Sequence, residues 1–350
     1  MQFMYASEIM NSYSYHLMDS IALQKLLIIF LFSFLFFPSF ILSHDQKQKI
    51  IKLYLPPSVA GPEATAFDRA GFGPYTGVAD GRVFKYVNPT DGYVEFATTS
   101  STRPKQLCDG NSNRAIEPKC GRPLGLAFYH TTGHLYIADA YFGLVEVGPR
   151  GGIAASISKS AGGVPYRNLN ALDVDQKNGV VYFTDLSTKF QLRQFNDALL
   201  SGDQTGRLLK YDIRKKQATV LAHNLGLPVG VAVSKHGDFV IVSEYVHNRT
   251  LRFWLTGHKA KTTEIFTKFP GRPDNIKRNA KGEFWIPVTS VNGNPNRTVA
   301  WKLDEDGKLK KSFDLRMVGN PLPMYSEVQE IHPRVFSLGI LNLNYSGIMY

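Results

Sequence analysis

Beyond residue 50 the apolar positions do not recur at helical spacing. They alternate with polar ones over short stretches bounded by Gly, Asp and Asn, which predicts many half-buried strands. Five segments share one plan: PEATAFDRAGFGPYTGV (62–78), PLGLAFYHTTGHLYIAD (123–139), LNALDVDQKNGVVYFTD (169–185), PVGVAVSKHGDFVIVSE (228–244) and PDNIKRNAKGEFWIPVT (273–289). Each runs from a small or polar start through an apolar strand and a Gly-containing turn to a second strand rich in aromatic and β-branched residues. A weaker sixth copy begins at Ser326. The equivalent positions Asp68, Tyr129, Asp175, Ser234, Asn279 and Glu330 lie 61, 46, 59, 45 and 51 residues apart, a period that fits the blades of a propeller.

Outer strands are predicted at GRVFKYV (81–87), GRLLKYD (206–212), TLRFWL (250–255) and AWKLDEDG (300–307), where apolar and basic residues alternate. Only 20 residues follow Glu330, too few for a four-stranded blade. KIIKLYLP (49–56) can supply the missing outer strand, close the ring and remove its open edge. The expectation is all-β: one six-bladed propeller of four-stranded blades over 44–350, closed by the N-terminal strand pairing with the last blade. A β-sandwich would not explain six aligned segments. QLRQFNDALLSG (191–202) is the one expected helix, inserted between two strands of the third blade. His332-Pro-Arg334 in the last turn and the early end of the chain predict a poorly closed last blade.

The hydropathy pattern also sets residues 1–43 apart. Residues 26–42 read LLIIFLFSFLFFPSFIL, without a charge and preceded by Lys25, as in a secretory signal peptide. Translation from Met18 would give it ordinary proportions. An uncleaved signal anchor is the alternative, and the only way this chain would meet a membrane. Either reading sends the protein into the secretory pathway, to the vacuole or the extracellular space. Sequons at Asn248, Asn296 and Asn344 predict a glycoprotein. The only two cysteines, Cys108 and Cys120, share one polar loop and are expected to pair in an oxidising compartment.

Composition changes the picture little. Hydrophobic residues make up 43% and charged residues 20%, which excludes a disordered chain. The net charge of +11 raises the question of an acidic partner. The basic runs Arg214-Lys-Lys216 and Lys308-Leu-Lys-Lys311 lie beside predicted hairpins, and no nucleic-acid partner is expected in this compartment. A monomer is expected. His130 and His134 flank a hairpin turn and are not expected to bind zinc. The chain has no nucleophile elbow, P-loop or dinucleotide fingerprint.

The strings GPEATAFDRAGFGPYTGVADGRVFKY, Cys108…Cys120-Gly-Arg, DVDQKNGVVYFTDLST…TGRLLKYD, SEYVHNRTLRFWL and PGRPDNIKRNAKGEFWIPVTS resemble the strictosidine synthase family of plants, from about residue 50 onward. The resemblance implies a six-bladed propeller, a glycosylated vacuolar or secreted protein and a small-molecule pocket on the propeller axis. It also implies alkaloid-type specialised metabolism and no cofactor. The name-giving enzyme condenses tryptamine with the aldehyde of secologanin, formally as a carbon–nitrogen lyase. The glutamate that handles the amine proton in that reaction aligns with Ser326, which has no proton affinity near neutrality. A family histidine aligns with Met324 and a pocket aromatic with Asn170, while Tyr245 retains another. Glu327 is expected to point away from the channel, because adjacent strand residues face opposite ways. Tyr141 and Phe142 complete the expected pocket.

The segment starts that converge on the axis are Glu63, Leu124, Asn170, Val229, Asp274-Asn275 and Ser326. Glu63, Asn170, Asp274 and Asn275 would make an all-oxygen calcium site, as in the six-bladed lactonases that they resemble. Among them, paraoxonase has an Asn where Val229 and Gly230 stand here, and second-blade histidines with no counterpart at Leu124 or Ala140. Three functions follow: a strictosidine synthase-like enzyme without the synthase acid/base, a calcium-dependent esterase or lactonase, and a non-catalytic ligand-binding glycoprotein.

Overall fold

The computed structural model describes residues 50–291, 297–315, 324–341 and 343–350. The segment at 26–42, both candidate start methionines and the sequon at Asn296 lie outside the described residues. Six antiparallel sheets form the blades of a propeller. The second blade runs Pro123–Tyr129, His134–Asp139, Gly143–Val147 and Ala155–Ser158, from the axis outward. The third runs Leu169–Asp175, Val180–Asp185, Gly206–Asp212 and Gln217–Leu225, and the fourth Pro228–Val233, Phe239–Glu244, Arg249–Trp254 and Thr263–Lys268. In the first blade a short strand, Gly152–Ile153, arrives from the second blade and pairs in parallel with Gly92–Thr98.

The core is six wedges, each filled from two neighbouring blades. Val83, Leu126 and Ile137 lock the first blade to the second, and Val174, Leu144 and Phe183 the second to the third. Leu208 with Val231 and Phe284 with Ile241 continue round the ring, Trp285 with Leu338 joins the fifth blade to the sixth, and Leu53 with Phe84 closes it. Central strands such as Phe239–Glu244 are buried on both faces, so they read as continuous apolar runs rather than as alternation.

The last blade is fully built. Tyr325–His332, Val335–Ile340 and Tyr345–Met349 are completed by Ile50–Tyr54, which pairs residue for residue from Ile50 opposite Met349 to Tyr54 opposite Tyr345. Val328, Leu338 and Met349 are buried in it. The expected poor closure is therefore corrected. His332-Pro-Arg334 makes a tight turn with Arg334 at φ 67°, which costs the ladder only a local shift. The expected helix is a 3-10 turn, Leu192–Gln194, followed by Phe195–Leu200 between the second and third strands of blade three. Two further single-turn helices, Lys105–Cys108 and Glu117–Cys120, were not expected. They lie in the loop that the Cys108–Cys120 disulfide closes, with the Cα atoms 5.4 Å apart.

One irregularity repeats around the axis. The innermost strand loses its register between Pro123 and Gly125, Leu169 and Leu172, Pro228 and Gly230, and Tyr325 and Glu327. In blade five it splits into Gly271–Pro273 and Lys277–Arg278. The bulged residues are Leu124, Asn170, Val229, Asp274-Asn275 and Ser326, the same segment starts that the sequence pattern aligns. A bulge opposes two residues to one and re-aims their side chains. This corrects Glu327: it lines a small axial void of about 10 Å³ together with Gly125, Ala171, Val231 and Lys277. Strict alternation does not hold across the shifted pair.

Candidate functional site

Above the ring of bulges lies a cavity of about 660 Å³ to which all six blades contribute. Its roof is made of two insertions. The disulfide-closed loop brings Ser112, Arg114 and Glu117, and the helical insertion of blade three brings Leu192, Phe195, Asn196 and Leu199. Phe195 meets Tyr245 edge-on with centroids 5.5 Å apart, and Leu186, Leu227 and Val229 bury the other side of the insertion. Tyr141 ties the roof together: its hydroxyl donates to Glu117 Oε2 at 2.7 Å and accepts the Arg193 backbone N–H at 3.2 Å.

Glu117 is the only carboxylate on the cavity wall among the described residues, and it is buried. Burial pushes its carboxyl above the usual range, against the lowering pull of Arg122, the Tyr141 hydroxyl and Arg114. Three guanidiniums share the wall with it: Arg114, Arg122 and Arg272. Arg272 lies over the Tyr245 ring at 5.0 Å. Arg122 is 3% exposed, and its Nη1 is enclosed without a hydrogen-bond partner.

The expected pocket residues divide. Tyr245 and Met324 line the cavity. Tyr141 stands behind Glu117 as its partner, not on the wall. Phe142 packs into the wedge between blades one and two and belongs to the core. Asn170 is buried below the cavity, in the bulge of blade three. Ser326, 2% exposed, donates its hydroxyl to the Glu63 carbonyl at 2.5 Å, so it bonds backbone rather than presenting a group to the cavity. Sequence reading missed Glu117, Arg122 and Arg272. The Cys120-Gly-Arg string held the signal, since an arginine beside a disulfide at a blade start has little reason to face solvent.

The four expected calcium ligands sit around the axis below Arg122. Asn275 Nδ2 donates to Glu63 Oε1 at 3.0 Å. Burial, then Asp274 and Glu327, push the Glu63 carboxyl well above its usual range. Burial pushes Asp274 up to about 7, with Glu327 adding and the Asn275 N–H opposing. Glu63 Oε2 and Asn170 Oδ1 are both enclosed without a partner, which fits oxygen donors that await a hard cation. Among the described residues no three His, Cys, Asp or Glu side chains are grouped to hold a metal, so amide oxygens would have to supply half the protein ligands. Glu327 is committed elsewhere: it accepts from the Thr65 N–H and hydroxyl and pairs with Lys277 at 3.2 Å. Leu124 and Val229 are buried apolar groups at the remaining two bulges.

Elsewhere, His134 lies 3.5 Å from Glu146, and His130 lies within the turn closed by the Gly133 N–H on the Tyr129 carbonyl. Asn344 is exposed, whereas Asn248 is half-buried with Oδ1 enclosed.

A closed six-bladed propeller with a loop-roofed axial cavity is the class that this fold and site define. Residues 170–258 match the family described as strictosidine synthase. The chain is 42% identical over 317 residues to the protein strictosidine synthase-like 11 of Arabidopsis thaliana, covering 89% of this chain and 94% of that one. It is 50% identical over 234 residues to strictosidine synthase-like 10 of the same plant, and there spans 67% of this chain and 62% of the relative's length. A solved structure titled as a calcium-binding protein, regucalcin from Agrobacterium tumefaciens, matches in fold with a TM-score of 0.57 at 13% identity, over 85% of this chain and 92% of that one. The chain belongs to the strictosidine synthase family.

Proposed function

We propose that this protein is a small-molecule hydrolase of specialised metabolism, acting on an ester or lactone in the axial cavity with Glu117 as its acid–base group. One observation carries the reading: among the described residues the cavity wall holds a single buried carboxyl, Glu117, with its pKa raised and its hydroxyl partner Tyr141 in place. A carboxyl with a raised pKa can take a proton from an attacking water and return it to the leaving oxygen, so water adds across the C–O bond to give an acid and an alcohol. Amine–aldehyde condensation lacks support, because Ser326 stands at the family glutamate position and bonds the Glu63 backbone. The cationic amine would also face three guanidiniums. The leader-like segment 26–42 and the exposed Asn344 support a glycosylated protein of the secretory pathway.

The unpartnered oxygens of Glu63 and Asn170 favour a second reading, in which calcium on Glu63, Asn170, Asp274 and Asn275 polarises the carbonyl. Purified protein is offered aryl esters, lactones, and tryptamine with secologanin. Glu117→Gln should lower ester or lactone turnover by roughly 10²–10⁴-fold, the usual worth of general acid–base catalysis. Turnover that survives this change but is lost on chelation and restored by calcium supports the second reading. Condensation of tryptamine with secologanin would overturn both.

A further inference from the structure

We infer that the axial cavity recognises a carboxylate: its ligand is a small amphipathic organic acid, or a half-ester that keeps one free carboxylate, and that carboxylate is held by Arg122 and Arg272. This names the ligand class for the cavity assigned above and rests on that reading for the place of binding alone. Arg122 is the observation that points to it. Arg122 is 3% exposed, its Nη1 has no hydrogen-bond partner, and the carboxylates of Glu117, Glu63 and Asp139 do not fully offset its burial. A buried cation left in that state is costly, and a planar guanidinium is completed best by the two parallel hydrogen bonds of a carboxylate.

The backbone is shaped around this group. Gly61, at φ +81°, packs on the guanidinium so closely that a Cβ there would lie 2.7 Å from Nη2 and 2.9 Å from Nη1. Only a glycine leaves Arg122 in place on the cavity floor. Arg272 is braced on the Tyr245 ring, and Arg114 adds a third positive charge from the roof. Among the described wall residues only Glu117 opposes them, with Glu63 and Asp139 acting on Arg122 from outside the wall, so the wall itself carries excess positive charge. The remaining wall is apolar where Leu192, Phe195 and Leu199 descend from the insertion, which suits the hydrocarbon body of an organic acid and not a bare inorganic anion.

The test titrates the full-length protein with naphthylacetate, its neutral amide and naphthylethylamine, and follows both heat of binding and thermal unfolding. The acid should bind at least about tenfold more tightly than the amide, and the amine not measurably. Added salt should weaken the acid alone. Arg122→Gln should cost the acid roughly 10–100-fold and leave the amide unchanged, with Arg272→Gln as the second variant if the first does not fold. Equal affinity for acid and amide, no binding of the acid, or acid preference that survives the folded variant would each overturn the inference. Glu117→Gln separates it from the hydrolase reading. Acid binding that persists or tightens in this variant keeps the anion site, while absence of ester turnover in the unaltered protein removes only the hydrolase.

Discussion

Glu117 shows how one side chain acquires a function from its surroundings. Its raised carboxyl pKa comes first from burial, with Asp139 adding, while Arg122, Tyr141 and Arg114 oppose. The folded protein therefore binds this proton more tightly than the unfolded chain, whose glutamate titrates near about 4.3. Stability must fall as pH rises from there through the folded value, and level off above it. Melting temperature measured against pH should show this slope in the unaltered protein. Glu117→Gln, which has no charge to bury, should lack it and gain on the parent at pH above that titration. Identical pH profiles would mean that the carboxyl is not perturbed. Ester turnover should decline on the acidic side of the same titration. Ser326 offers the converse case: restoring a carboxylate with Ser326→Glu would add a buried charge near Glu63 and Asp274 and break the bond to the Glu63 carbonyl. This variant should lose several kcal/mol of stability in urea unfolding and gain no condensation activity.

At the scale of elements, the sequence was legible where the physics is local. Alternation and turn chemistry gave the blades, because Asp68, Asp175, Ser234 and Asn279 each cap their own hairpin turn through a side-chain oxygen. Those caps are why four of the six segments align at these positions. The site was legible only in part, because its charged groups come from a loop and an insertion whose placement depends on the disulfide and on packing against blade four. The expectation for Glu327 failed for a related reason: alternation is a property of an unbroken ladder, and the bulge at Ser326 is written in long-range pairing with Gly339. The disulfide loop yields a sharp prediction. Cys108→Ser with Cys120→Ser releases a loop of about a dozen residues, worth roughly 3 kcal/mol in the chain-entropy model. Because Arg114 and Glu117 ride on that loop, the double variant should weaken ligand affinity as well as lower the melting temperature. Unchanged affinity would show that the roof holds without the bridge.

The whole molecule depends on closing a ring with strands from both ends of the described chain. Blade six has only three strands of its own, and Ile50–Tyr54 is its outer edge. Beyond the backbone ladder, this strand and its continuation bury Leu53 and Leu55 against blade one, and Tyr93 of blade one hydrogen-bonds Ser346 at 2.7 Å across the seam. Two buried leucines are worth about 3–6 kcal/mol, comparable with much of a domain's net stability. A chain that begins at Pro57 should therefore unfold at markedly lower urea and expose Tyr345–Met349 as a bare edge. Such an edge pairs with whatever strand it meets, so size-exclusion chromatography should show the truncated chain more associated than the unaltered one. A peptide spanning residues 49–56, supplied in trans, should re-form the missing strand by edge addition and restore both the parent's elution and the urea midpoint. Stability and monomer content that do not change on truncation would show that the ring is held by its wedges alone. A truncated chain rescued by the peptide would show that the seam needs the strand but not its covalent link to blade one.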